Sequence, residues 1–240
     1  MKASLDFLLN GERVSLAGGN ASRTLLTWLR EERRLVGTKE GCAEGDCGAC
    51  TVVLADLDAA GKLRYQPVNA CMLSIGTLEG KEVITVEGIR QGESLHPVQQ
   101  AMVDCHGSQC GFCTPGFVMA LYAQYKSGAP ANLADAIAGN LCRCTGYRPI
   151  VEAGERARAA ANAEAETADD AVRRQRIEAL PRESIRIGNF FNPLSVAELA
   201  AYLAERPKAI AQRGRSCAQP AKPSACRLRG WSIPWTRKRS

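Results

Sequence analysis

Eight cysteines fall into two quartets, Cys42-x4-Cys47-x2-Cys50-x20-Cys71 and Cys110-x2-Cys113-x28-Cys142-x-Cys144. Thiolates are soft ligands that suit zinc and iron–sulfur clusters, and each quartet offers the four that one [2Fe–2S] core needs. The first spacing, C-x4-C-x2-C…C, is a known ligand pattern of such a core. Gly41, Gly45 and Gly48 punctuate its loop. They allow positive φ and let backbone amides point at the sulfurs of an anionic cluster. Four cysteines would also complete a zinc site, but the x4-x2 spacing in a glycine-rich loop favours the cluster. C-x-C is uncommon in zinc sites, so the second quartet leans the same way, with less force. A Rieske centre would need two histidine ligands, and the spacing of the chain's two, His96 and His106, argues against it. Two one-electron centres on a short chain imply a relay.

The other three cysteines read differently. Cys105 is expected to be a small buried residue rather than a fifth ligand, and Cys217 and Cys226 to be incidental thiols. His96, just before Pro97, reads as a helix-start residue and His106 as a shaper of the turn. With 240 residues the chain is long enough for one or two domains and a small third. Its opening residues, Met1 to Phe7, hold no signal-peptide run, and no window approaches the roughly 18 apolar residues of a membrane span. An odd cysteine count of 11 favours metal ligation in a reducing compartment over a disulfide frame. The expectation is a cytoplasmic protein with no membrane partner.

The net charge of +6 hints at nucleic acid until it is located. Residues 210–240 carry eight basic side chains and no acidic one, which leaves 23 basic against 25 acidic in the rest. The globular part is thus near neutral, and no nucleic-acid partner is expected.

The elements that must position the quartets can be read in order. Residues 3–9 alternate as a strand, and Asn10-Gly11 predicts a tight hairpin into Glu12–Leu16. Ser22 is the expected cap of a helix that buries Leu25, Leu26, Trp28, Leu29 and Leu35. Further strands are expected at Cys50–Ala55 and Val83–Val86, with a helical piece near Cys71–Ile75. That order fits a small α+β domain with a helix on one sheet face. From about residue 90 helices take over: Pro97 before Val98–Val103, Pro115 before Gly116–Lys126, Asn132 before Leu133–Ala138, and Pro149 leading into 151–163. Residues 164–183 are polar, mixed in charge, and read as a linker. Ser195-Val-Ala-Glu198 is a capping box for a further helix ending near Glu205.

Three stretches carry a family resemblance. Gly41–Thr51 (GCAEGDCGACT), Cys105–Phe117 (CHGSQCGFCTPGF) and Gly139–Ile150 (GNLCRCTGYRPI) resemble the two cluster signatures of the molybdenum hydroxylases, which include xanthine dehydrogenase, aldehyde oxidoreductase and carbon-monoxide dehydrogenase. The resemblance covers about residues 1–163 and is highly specific. It implies an α+β architecture: a β-grasp plant-type [2Fe–2S] ferredoxin domain (1–88), then a four-helix [2Fe–2S]-binding domain (89–163). Phe190-Phe191-Asn192-Pro193 and the capped helix resemble the start of an FAD-binding domain (184–209). The eight quartet cysteines, Cys42, Cys47, Cys50, Cys71, Cys110, Cys113, Cys142 and Cys144, become the cluster ligands on this reading. Gln109 would hydrogen-bond a molybdopterin cofactor, and Cys144 would contact it as well as iron; without the motif, Gln109 reads as an exposed loop amide. No residue is expected to act as general acid, base or nucleophile.

The function implied is electron transfer, as the iron–sulfur subunit of a hydroxylase of the xanthine dehydrogenase type. Single electrons would pass from a molybdopterin-containing large subunit through two [2Fe–2S] clusters towards FAD and NAD. The alternatives are a free ferredoxin-like carrier and the small subunit of another aldehyde- or purine-type enzyme. After Ala209 the family would continue with a glycine-rich loop for the FAD pyrophosphate, where this chain reads Ile210-Ala-Gln-Arg-Gly-Arg. The expectation is therefore an FAD domain broken off by a shifted reading frame. FAD would not be bound, and 210–240 would be an aberrant, disordered basic tail. A genuine nucleic-acid-binding tail is the rival, though no fold signature accompanies the charge.

Overall fold

The structure is a computed structural model that describes residues 2–90, 92–128, 132–161 and 163–205. The aberrant tail expected at 210–240, with Cys217 and Cys226, lies outside the described residues.

A five-stranded sheet has the order β2-β1-β5-β3-β4. β1 (Ser4–Leu9) and β2 (Glu12–Ala17) form the expected hairpin, with Asn10 at φ 51° and Gly11 at φ 84°, as a two-residue primed turn demands. β3 (Thr51–Leu57) pairs antiparallel with β4 (Leu63–Asn69) and β5 (Glu82–Ile84), while β1 and β5 run parallel. β4 is absent from the sequence reading; it tolerates Pro67 because β4 lies at the sheet edge, where a missing N–H costs little.

Alternation along the strands builds two cores. Leu5, Phe7, Leu9, Val52, Leu54 and Val83 meet Leu25, Trp28 and Leu29 on one face. That helix is a short α1 (Leu25–Thr27) running into a π turn (Trp28–Glu32). Its cap is Thr24, whose hydroxyl accepts the Thr27 amide, and not Ser22. Leu8, Val53, Ala55 and Ile84 point to the other face and join Phe117, Met119 and Leu121. The sheet is therefore covered on both faces rather than one, which explains the unbroken apolar run Val52–Ala55.

The second cover is the helical half: α2 (Pro97–Asp104), α3 (Thr114–Ser127), α4 (Leu133–Ala136) and α5 (Arg148–Ala159). α3 is buried at every residue from Gly116 to Ala123, as expected of a central helix wedged between sheet and neighbours. His96 starts α2 as anticipated: its Nδ1 accepts the Val98 amide, and Gln99 reaches back to the His96 amide. Gly128, at φ 61°, ends α3.

The expected linker at 164–183 is mostly helix. α6 (Ala163–Glu178) lies over the sheet and α3, and Arg173 meets buried Glu82 at 2.9 Å. Its polarity reflects partners rather than solvent: Lys126 binds Glu166 and Asp170, and Tyr65 Oη donates to Asp170 Oδ1 at 2.5 Å. β6 (Ile185–Ile187), β7 (Phe190–Asn192) and α7 (Val196–Glu205) follow. The predicted capping box forms, with Ser195 Oγ accepting the Glu198 amide at 3.1 Å and Glu198 Oε2 the Ser195 amide at 3.3 Å. No described helix is long and apolar enough to cross a membrane.

Candidate metal centres

The x20 gap of the first quartet is the length of the β3–β4 hairpin. Thr51 pairs with Asn69, so Cys50 and Ala70 lie just beyond the pairing, and the Ala70 amide donates to the Cys50 carbonyl at 3.2 Å. Cys71 comes next, and its buried thiol stands within hydrogen-bonding reach of Cys50. Cys42 and Cys47 form a second pair: the Cys42 amide donates to Cys47 Sγ at 3.3 Å, and the Asp46 and Cys47 amides donate to Cys42 Sγ, each at 3.4 Å. Backbone amides, that of Glu44 foremost, pull the Cys42 thiol down to about 7. Burial, then Cys50, pushes Cys71 up to about 12.

The glycine expectations hold in part. Gly45 and Gly48 have positive φ, 90° and 69°. Gly41 does not; its need is space, because a Cβ there would stand 2.8 Å from Cys47 Sγ.

The second quartet gathers from the turn before α3 and the loop between α4 and α5. Again two pairs form, Cys113 beside Cys142 and Cys144 beside Cys110. Burial and the neighbouring Cys142 raise Cys113 to about 12, and the hydrogen bond with Cys110 raises Cys144. Cys142 is held low despite burial because the Thr145 hydroxyl, 3.1 Å away, and the Thr145 amide both face its sulfur. Tyr147 Oη accepts the Cys142 amide at 2.9 Å, and Tyr147 itself has φ 68°. Cys110 and Cys144 are exposed, as is Gln109, while Phe112 and Leu141 expose 49% and 58% of their surface beside them. Cys105 is partly buried against the helical core, close to expectation.

Among the described residues no three His, Cys, Asp or Glu side chains converge as a single ion would require. The thiols instead stand as two pairs in each quartet. Two pairs fit a [2Fe–2S] group, in which each pair would hold one of the two irons. Like charge and burial oppose ionisation within a pair, and a cationic core would relieve that opposition. The donor sets thus fit [2Fe–2S] better than zinc.

The two quartets meet at one seam. The Leu141 amide, next to Cys142, donates to the Cys47 carbonyl at 2.9 Å. Asn140 Nδ2 donates to the Gly48 carbonyl at 2.8 Å and to Thr51 Oγ1 at 3.1 Å. Backbones are nearly in contact: a Cβ on Gly48 would lie 2.3 Å from the Gly139 oxygen, and one on Gly116 would lie 2.3 Å from the Gly48 oxygen. Sequence reasoning assigned no role to Asn140, Thr145, Tyr147 or Gly116. All four lie inside the two motifs of the second quartet, so the signal was present without a partner to interpret it.

Comparison with known proteins agrees with this geometry. Residues 7–75 match the family described as 2Fe-2S iron-sulfur cluster binding domain, and residues 85–155 match the [2Fe-2S] binding domain. Fold and site thus define a protein with two [2Fe–2S]-binding domains, a ferredoxin-type one followed by a helical one. Quinoline 2-oxidoreductase from Pseudomonas putida 86 has a chain 33% identical (TM-score 0.54), and the match covers 65% of this chain and 96% of that one. The chain belongs to the molybdenum hydroxylase family. Xanthine dehydrogenase of Drosophila pseudoobscura pseudoobscura is 50% identical over 155 residues, 62% of this chain. Aldehyde oxidase 4 of Cavia porcellus is 47% identical over 156 residues, 63% of this chain. The match spans only 12% of the length of each of these two relatives.

Proposed function

We propose that the chain is the electron-transfer part of a molybdenum hydroxylase of the xanthine dehydrogenase type. It would carry single electrons from a molybdopterin-containing partner towards FAD and NAD. Residues 1–88 and 89–163 are its two working domains, with Cys42, Cys47, Cys50 and Cys71 holding one cluster and Cys110, Cys113, Cys142 and Cys144 the other. When bound, each cluster supplies reversible one-electron chemistry. The observation that carries the reading is the seam, where the Cys47 carbonyl receives the Leu141 amide and so joins one quartet to the other.

The residues divide the work unevenly. Cys50 and Cys71 are sunk in the sheet core, which shields their pair from water. Cys110 and Cys144 are exposed, as are Gln109, Phe112 and Leu141 near them in the chain, which suits docking against a partner. Gln109 would donate to the pterin from this exposed position, and Cys144 would touch it. The amides around Cys42 stabilise negative charge on its sulfur. β6, β7 and α7 would open an FAD-binding region.

Gentle purification tests the proposal against a free carrier. The expected result is a stable complex with a molybdenum-containing polypeptide, in which the partner's reducing substrate bleaches the visible absorbance of this chain. A chain that purifies alone and exchanges electrons transiently with unrelated partners would contradict it.

A further inference from the structure

We infer that Asn140 is a latch that fixes the separation of the two cluster-binding loops, and hence a positioning residue for electron transfer between them. The inference rests on the two-cluster reading above and adds what holds the two centres in place. Tunnelling between centres falls off exponentially with distance, so a relay needs a separation that does not fluctuate. Yet both quartets sit largely on loops, the compliant part of a fold.

Asn140 is placed to supply that rigidity. It is buried to 5% exposure, and its main-chain amide is anchored on Ile137 O at 2.9 Å, at the end of α4. Its side-chain amide crosses the seam to Gly48 O, between Cys47 and Cys50, and to Thr51 Oγ1, the first residue of β3. Thr51 Oγ1 in turn donates to Gly48 O at 2.7 Å, which closes a triangle of hydrogen bonds. Asn140 stands two residues before Cys142, so one short side chain ties helical core, the start of β3 and both quartets together. The backbones of Gly48, Gly116 and Gly139 approach closely around it: a Cβ on Gly48 would lie 2.6 Å from Asn140 Nδ2, and one on Gly116 would lie 3.0 Å from it. Without the amide, Gly48 O loses one buried donor and keeps those of Thr51, and the Cys47–Leu141 hydrogen bond is left to join the two loops.

The test uses the full chain with both clusters loaded and reduced by dithionite. Low-temperature electron paramagnetic resonance reads the splitting that each cluster imposes on the other, which falls with the cube of their distance. Peptide-level hydrogen exchange reads the seam itself. Asn140→Ala is expected to keep both signals, narrow and blur their mutual splitting and speed exchange across 139–142. Thr51→Val, which removes the hydroxyl of the triangle, is expected to shift both readouts the same way by less, and it decides the matter if Asn140→Ala fails to load. Tyr65→Phe weakens the contact of α6 with the sheet away from the seam, and should lower Tm without altering the splitting. Wild-type splitting and exchange in the Asn140 and Thr51 variants would overturn the latch, as would an equal change in Tyr65→Phe. Two signals without splitting in the wild type would also overturn it. A wild-type chain without two [2Fe–2S] signals would instead overturn the reading beneath it.

Discussion

Gly48 is the tightest of the positive-φ glycines among the described residues. It combines φ 69° with a neighbour that would stand 2.3 Å from an added Cβ, and that neighbour is backbone, which cannot swing away. Gly48→Ala is expected to cost at least about 2 kcal/mol, from the left-handed conformation and the forced parting of the seam. Chemical denaturation of the loaded chain measures this, and an unchanged midpoint would contradict it. Cys47→Ser keeps the carbonyl that Leu141 needs while removing one thiolate of the first quartet. It should abolish or distort the first cluster's signal and leave the second's in place. The first quartet reads as a ligand set from its spacing alone, whereas the second is proposed largely on the family motifs that surround it. Asn140 was not legible, because an asparagine acquires meaning only from the carbonyl it meets, and that carbonyl is 92 residues away.

At the scale of elements, α6 shows where sequence reading fails. A polar, mixed-charge stretch such as 164–183 looks like a solvated linker when its partners are out of sight. In the fold its charges face Glu82, Tyr65, Tyr122 and Lys126, and Arg173 is the centre of the cluster. Burial pushes the Glu82 carboxyl up against the pull of Arg173, so the pair is tense even when complete. Arg173→Met would strand that carboxylate, with an expected loss of about 3–5 kcal/mol in denaturant titration. Breaking the exposed Arg64–Asp56 pair should cost under about 1 kcal/mol, and equal losses would refute the role given to α6. The helix starts were legible because prolines and caps act locally: Pro97, Pro115, Asn132 and Pro149 each open the helix expected of them. His96 adds a pH dependence to α2. Burial holds its imidazole neutral and lowers its pKa from 6.5 to about 4. The unfolded chain therefore binds the extra proton first, and stability that is complete above pH 6.5 falls as pH drops towards 4, by up to about 3 kcal/mol. His96→Asn, which keeps a capping side chain, should flatten that part of the profile.

For the whole molecule, the sheet is a shared wall. One face closes over α1, the other over the helical half, and the loops of both quartets emerge at the seam between them. The α+β order was readable because strand alternation and helix period are local signals. The burial of both faces was not, since it depends on which half packs against which. The central claim is that this body holds two [2Fe–2S] clusters side by side, one in each quartet. The most direct test is metal analysis joined to spin quantitation on the anaerobically purified chain reduced with dithionite. The account predicts about four irons and as many acid-labile sulfides per chain, with two distinct signals of one spin each. Zinc in either quartet, or a single iron–sulfur signal from a fully loaded chain, would contradict it.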